Sequence, residues 1–398
     1  MVQLFHNPSA THAVPGAGFT PLSRRPLLTH QSLPEYRPTP LHDRPEIAAR
    51  LGVGRVLVKD ESTRLGLPSF KILGASYATL RTIVGEWLDG HEPETLDAVR
   101  AGLARTRSTP GGRDVRGLAA ATDGNHGRGV ARMAALLDLR CTVLVPTGTA
   151  PARIDAIESE GAEVHVVEGT YDDAVAASAR LADRATLVIS DTSWEGYEGP
   201  PRAVIEGYST MFFEIDDQLA TLDLHQPDVV AFQAGVGAFA AAGLRHYRGA
   251  DSPFRSKTVV VEPESADCLL ESARNGRATE VPGPHPSRMA GLNCGLPSQL
   301  AWPIVIGGTD TFVAMADVFA YEAMRLLAEC GVVSGESGAA GLGGLLALHD
   351  AEPDRFGSAA TVLVINTEGA TDPVNYRAVV GERPAEVAAS WSGAAPSD

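Results

Sequence analysis

From Leu51 onward the chain alternates short apolar runs with segments of helical spacing, and this alternation restricts the fold more than any single motif does. Residues 55–58, 117–121, 141–145, 163–167, 185–190, 228–232, 257–261 and 361–365 read as strands. Several are unbroken apolar runs, as expected of strands covered on both faces. Residues 72–88, 150–160, 172–182, 201–219 and 238–247 carry helix spacing between them. The pattern predicts an α/β protein built on mostly parallel sheet flanked by helices. With 398 residues the chain is long enough for two domains, or for one large α/β unit with a subdomain.

In such sheets chemistry gathers in the loops beyond the carboxyl ends of the strands. Four of these loops are polar and rich in glycine: Thr122-Asp123-Gly124-Asn125-His126-Gly127, Asp191-Thr192-Ser193-Trp194-Glu195-Gly196-Tyr197, Gln233-Ala234-Gly235-Val236-Gly237-Ala238 and Asn366-Thr367-Glu368-Gly369. The Gly235–Ala238 turn opens a helix of small residues, so its backbone N–H groups suit a phosphate, although a tight strand-to-helix turn explains the same glycines. Around Asn125 two glycines bring backbone donors near a ligand, or else form a turn that caps the helix from Arg128.

A fifth loop, residues 62–69, leads from the strand at 55–58 into Ser69-Phe70-Lys71-Ile72. Lys71 therefore starts a helix. There the macrodipole and the apolar neighbours Phe70 and Ile72 disfavour an ammonium, which is what an amine that attacks a carbonyl requires. A solvated surface lysine is the plainer alternative.

Composition narrows the partners. Forty-nine acidic residues against 33 Lys and Arg leave a formal charge of −16, which argues against nucleic acid or an anionic membrane and for a small metabolite. The four cysteines, Cys141, Cys268, Cys294 and Cys330, form no C-x-x-C pair, so neither a zinc ribbon nor a disulfide framework is indicated and no metal is expected. That usage fits a reducing cytoplasm, as does an N-terminus without secretory character. Residues 1–45 are rich in proline and predict an extended arm laid over the body or over a neighbouring subunit.

Taken together, Ser69-Phe70-Lys71, Asn125-His126-Gly127 and the glycine loop resemble the fold-type II pyridoxal-phosphate enzymes. Residues 191–197, 289–295 and 334–341 narrow the resemblance to the diaminopropionate ammonia-lyases, over about residues 41–376. The resemblance implies two domains with the site in the cleft between them, a large one of residues 1–76 plus 187–398 and a small one of 77–186. It also implies pyridoxal phosphate as cofactor, a homodimer, and release of pyruvate and ammonia from D- and L-2,3-diaminopropionate by α,β-elimination.

By that resemblance Lys71 forms the imine with the cofactor and Phe70 flanks it. Asn125 bonds the ring hydroxyl, Gly235, Val236, Gly237 and Ala238 hold the phosphate, Thr367 faces the ring nitrogen, and Glu336 supports from nearby. A neutral threonine does not hold that nitrogen protonated, which favours elimination over transamination. Asp123 stands where dehydratases of this fold carry serine, giving a second base: Lys71 for the L form, Asp123 for the D form. Ser69, Thr122, Gly124, His126 and Tyr171 shape the substrate pocket, and Asp191 pairs with the β-ammonium. Two departures, Ala238 in place of a serine and Ser69 as in the dehydratases, keep other readings open. These are a serine or threonine dehydratase, a β-replacement enzyme on another β-substituted alanine, or a non-catalytic binding protein of the same fold. Cys268 and Cys294 are expected in loops near the entrance, where pairing is an option and two free buried thiols are the default.

Overall fold

The computed structural model describes residues 2–14, 16, 18–91, 93–109, 115–122, 124–250 and 252–392, the side chains of 391 and 392 excepted. Among the described residues, eleven strands form two sheets: β1 (Gln3–His6), β2 (Leu41–Asp43), β3 (Arg55–Asp60), β4 (Gly117–Ala121), β5 (Arg140–Pro146), β6 (Glu163–Val167), β7 (Thr186–Val188), β8 (Val229–Gln233), β9 (Lys257–Pro263), β10 (Thr311–Met315) and β11 (Thr361–Asn366). The larger sheet runs β1-β10-β9-β8-β11-β3-β2 and the smaller β6-β5-β4-β7. Every pairing is parallel except β1 with β10 and β2 with β3, which close the two edges of the larger sheet.

All eight expected strands are present, with ends moved by a few residues. The expected strand at 185–190 is shorter because the chain turns away after Val188, although the Ile189 N–H still donates to the Ala119 carbonyl at 2.8 Å. Sequence pattern missed β10, a buried five-residue apolar run that is as consistent with a helix as with a strand. It also missed β1 and β2, which lie in the N-terminal arm and are only partly buried.

That arm is not simply extended. It supplies both antiparallel edge strands and a helix, Arg25–Gln31, in which Pro26 occupies the first turn where no N–H is needed. Its residues bond to the body of the chain. His30 accepts or donates at Thr210 Oγ1 (2.7 Å) and donates to the Leu73 carbonyl (2.9 Å), and the Tyr36 hydroxyl donates to Glu214 (3.0 Å).

The helix Lys71–Trp87 packs between the helices Gly199–Thr221 and Asn125–Leu136, which is why it is buried nearly all round rather than along one stripe. One apolar cluster runs from Phe232 and Leu363 of the larger sheet through Ile72, Leu73 and Leu80 to Leu118 and Val143 of the smaller. The expected boundaries at 76 and 186 therefore fall inside this helix and inside β7, which pairs with β4 in the smaller sheet.

The loop that delivers Lys71 to the helix start is fastened from beneath by buried charges. Arg64, fully buried, donates to both oxygens of Glu61 (2.6 and 2.7 Å) and to both of Glu214 (2.7 Å each), and Lys59 reaches Glu214 at 2.9 Å. Burial works against the Glu214 charge, but hydrogen bonds and attraction from Arg64 and Lys59 prevail and hold its carboxyl at about 2.

Candidate active site

The carboxyl ends of β3, β4, β8 and β11 converge on one cleft. Thirteen sequence-predicted site residues line it: Ser69, Phe70, Lys71, Thr122, Asn125, His126, Tyr171, Asp191, Gly235, Val236, Gly237, Ala238 and Thr367. Asp123 lies outside the described residues.

Lys71 is the first residue of its helix, and its side chain is 19% exposed. Sequence reasoning expected apolar surroundings for the amine. Instead its Nζ donates to Asp191 Oδ2 at 2.7 Å, while the Tyr171 hydroxyl donates to Asp191 Oδ1 at 2.7 Å. Burial alone would raise the Asp191 carboxyl, but attraction to Lys71, then to His126, and the hydrogen bonds from Lys71 and Tyr171 hold it well below the usual carboxylate range. His126 donates through Nε2 to the Ile189 carbonyl (2.8 Å), bracing the strand end that carries Asp191. Phe70 is buried against Tyr208 and Phe239, with ring centroids 4.7 and 4.8 Å apart.

The chain has three lysines, Lys59, Lys71 and Lys257. Lys59 is fully buried in the ionic cluster and Lys257 is exposed at the start of β9, so Lys71 alone of the three lines the cleft.

Opposite the amine, Gly237 (φ +93°) caps the helix Ala238–Arg248, a backbone conformation that side-chain-bearing residues rarely adopt. A Cβ on Gly235 would stand 2.8 Å from Cys294 Sγ, so the loop hugs the wall of the cleft. Backbone N–H groups at a helix start, an amine, an amide at Asn125 and a hydroxyl at Thr367 are the donor set that a phosphorylated pyridine aldehyde needs, and the residues fit pyridoxal phosphate.

Two expected residues stand apart. Glu336 opens the helix Glu336–Ala351, accepts a hydrogen bond from the Asn375 amide, and lines a second, more open cleft that shares Tyr171 and Asn293 with the first. Gly124 is buried beside Arg153 and does not line the main cleft; its N–H donates to Thr122 Oγ1 at 2.8 Å. Of the two cysteines expected in loops near the entrance, Cys294 lines the cleft but Cys268 does not lie in a loop. Cys268 begins the helix Cys268–Asn275, and all four cysteines are buried and none is in a disulfide.

Sequence reasoning assigned no role to Gln233, Phe239, Cys294 or Glu368, all of which line the cleft. Glu368 is buried and accepts a hydrogen bond from the Asn125 amide, which leaves the second amide N–H for a ligand. Gln233 closes β8 and meets Thr367 Oγ1 at 2.9 Å. The available signal was a polar residue ending an apolar strand at the functional edge.

A family model described as pyridoxal-phosphate dependent enzyme matches residues 33–368. The chain is similar to the diaminopropionate ammonia-lyase of Escherichia coli (strain K12), 38% identical over 367 residues that cover 89% of each chain. Two crystal structures of the Escherichia coli diaminopropionate ammonia-lyase are alike in fold at 34% identity, each covering 96% of this chain and 97% of the other. One is in complex with D-serine (TM-score 0.84) and one with an aminoacrylate-PLP azomethine reaction intermediate (TM-score 0.83).

Proposed function

Since the chain belongs to the family of pyridoxal-phosphate dependent enzymes, we propose that it is a carbon–nitrogen lyase that converts D- and L-2,3-diaminopropionate to pyruvate and ammonia. The observation that carries the choice of substrate is the buried Asp191 carboxylate beside the Lys71 amine. Bound pyridoxal phosphate supplies an electron sink that acidifies the substrate Cα–H.

The chain's own residues do the rest. Gly235, Val236, Gly237 and Ala238 hold the phosphate on backbone N–H groups, with the helix start favouring negative charge there. Asn125, its amide oriented by Glu368, holds the ring hydroxyl, and Thr367 faces the ring nitrogen. Lys71 would be the base for the L form. Asp123 is the base for the D form, a role supported by the resemblance and by the D-serine complex of the Escherichia coli relative. Asp191, with Tyr171 fixing its second oxygen, binds the β-ammonium and favours an amine over a hydroxyl as leaving group. Ser69, Thr122 and His126 wall the pocket.

A cytoplasmic homodimer is part of the proposal, and light scattering of the holo-protein checks the dimer. The reading itself is tested by comparing pyruvate release from diaminopropionate, serine and β-chloroalanine. Fastest turnover of diaminopropionate is expected; faster turnover of serine would point to a dehydratase.

A further inference from the structure

Gln233 is 2% exposed, and its amide nitrogen faces four oxygens: the carbonyls of Ser337 (3.2 Å), Gly338 (3.0 Å) and Ile365 (2.9 Å), and Thr367 Oγ1 (2.9 Å). Carbonyl oxygens only accept hydrogen bonds, so three of them on one side assign the nitrogen to that side; the opposite rotamer would set oxygen against oxygen. Oε1 points the other way, without a hydrogen-bond partner among the described residues, into space left by Gly341, where a Cβ would come within 2.8 Å of it. The amide therefore has one orientation.

This orientation dictates a second one. An amide N–H₂ offers no lone pair, so the Thr367 hydroxyl cannot donate to Gln233 and only accepts from it. Among the described residues Thr367 Oγ1 has no other hydrogen-bond partner, and its proton is left to turn into the cleft. We propose that Gln233 is a positioning residue that makes the Thr367 hydroxyl a donor toward the cofactor's ring nitrogen, keeping that nitrogen unprotonated and steering the reaction to elimination instead of transamination. The proposal rests on the functional reading above, in which Thr367 meets that nitrogen. It adds that the identity of the threonine is insufficient: the direction of its proton is set from behind by a residue at the end of β8.

The test uses holo-protein loaded with pyridoxal phosphate labelled with nitrogen-15 in the ring, with loading verified by borohydride trapping on Lys71. In the unmodified protein the resonance is expected in the neutral-pyridine range. Gln233→Glu places an oxygen where the N–H stood. Beside three carbonyl oxygens that carboxyl is held protonated, its O–H donating to one of them and its lone pairs left to accept, so the Thr367 proton turns to it and a lone pair faces the ring. The resonance should move toward the protonated range, and pyridoxamine phosphate formed by side transamination should rise roughly tenfold relative to pyruvate, the worth of one hydrogen bond. Gln233→Met supplies neither donor nor acceptor and should leave the resonance neutral.

A protonated ring nitrogen in the unmodified protein would overturn the proposal whether or not the variants fold. So would a resonance and product ratio unchanged by Gln233→Glu, or an equal displacement in Gln233→Met. Unmodified protein that takes up no pyridoxal phosphate would overturn the functional reading, and this proposal with it; loaded protein with a protonated ring overturns this proposal alone.

Discussion

Asp191 meets Lys71 on one oxygen and Tyr171 on the other, at 2.7 Å each, and attraction to Lys71 and His126 with these hydrogen bonds holds its carboxyl below the usual carboxylate range. Such a carboxylate attracts an ammonium and gives a hydroxyl much less. Asp191→Asn should therefore lower pyruvate release from diaminopropionate by about tenfold or more while affecting serine less, the loss expected of a charged hydrogen bond. Equal loss on both substrates would reduce Asp191 to a structural role. Asp123→Asn should abolish use of the D enantiomer while sparing the L form, and assays on separated enantiomers decide it. At this scale the loops that bring Lys71, Asn125, Asp191 and Thr367 to one cleft were legible in the sequence, while the roles proposed for them come from the family resemblance. Their supports were not, because support depends on pairing across the chain: Asn125 and Glu368 are 243 positions apart.

Elements hold these residues in place by close approach and by buried polar groups. A Cβ on Gly338, in the first turn of the helix Glu336–Ala351, would run into the Glu368 carbonyl and come within 2.7 Å of Asn366 Oδ1. Gly338→Ala should thus displace the β11 end that bears Thr367 and Glu368. Destabilisation of about 1–3 kcal/mol is expected in denaturant titration, together with weaker cofactor retention. The arm helix has its own signature. His30 is fully buried, and burial, although opposed by its bond to the Leu73 carbonyl, lowers it to about 3. The folded form thus keeps His30 neutral where the unfolded chain takes up a proton, near 6.5 and below. This contribution is complete above that value and is lost as pH falls toward about 3, at up to roughly 1.4 kcal/mol per pH unit. His30→Gln should flatten the pH dependence of stability between about 6.5 and 4.5, and an unchanged slope would count against it. Most of the eight strands found from pattern carry apolar, β-branched runs; β1 and β2 escaped because their edge positions leave them half-buried and without alternation.

In the whole molecule the Lys71 helix is the seam, packed between the helices Gly199–Thr221 and Asn125–Leu136, with one apolar cluster running through it to both sheets. The alternation of strands and helices announced mostly parallel sheet, and the family resemblance its division into two. Their strand order, and the placing of the helix at the seam, follow from packing that no local pattern encodes. A cofactor bound at this seam touches loops from both sheets, so saturating it should stabilise the whole fold, by about 2.7 kcal/mol at a hundredfold excess over its dissociation constant. Calorimetry of protein with and without pyridoxal phosphate would show the rise as a higher Tm.

With three lysines in the chain, borohydride reduction followed by peptide mass mapping tests the assignment of Lys71 most directly. The account predicts a phosphopyridoxyl adduct on Lys71 and on neither Lys59 nor Lys257, with the loss of visible colour. No adduct, or an adduct confined to either of the other two lysines, would contradict it.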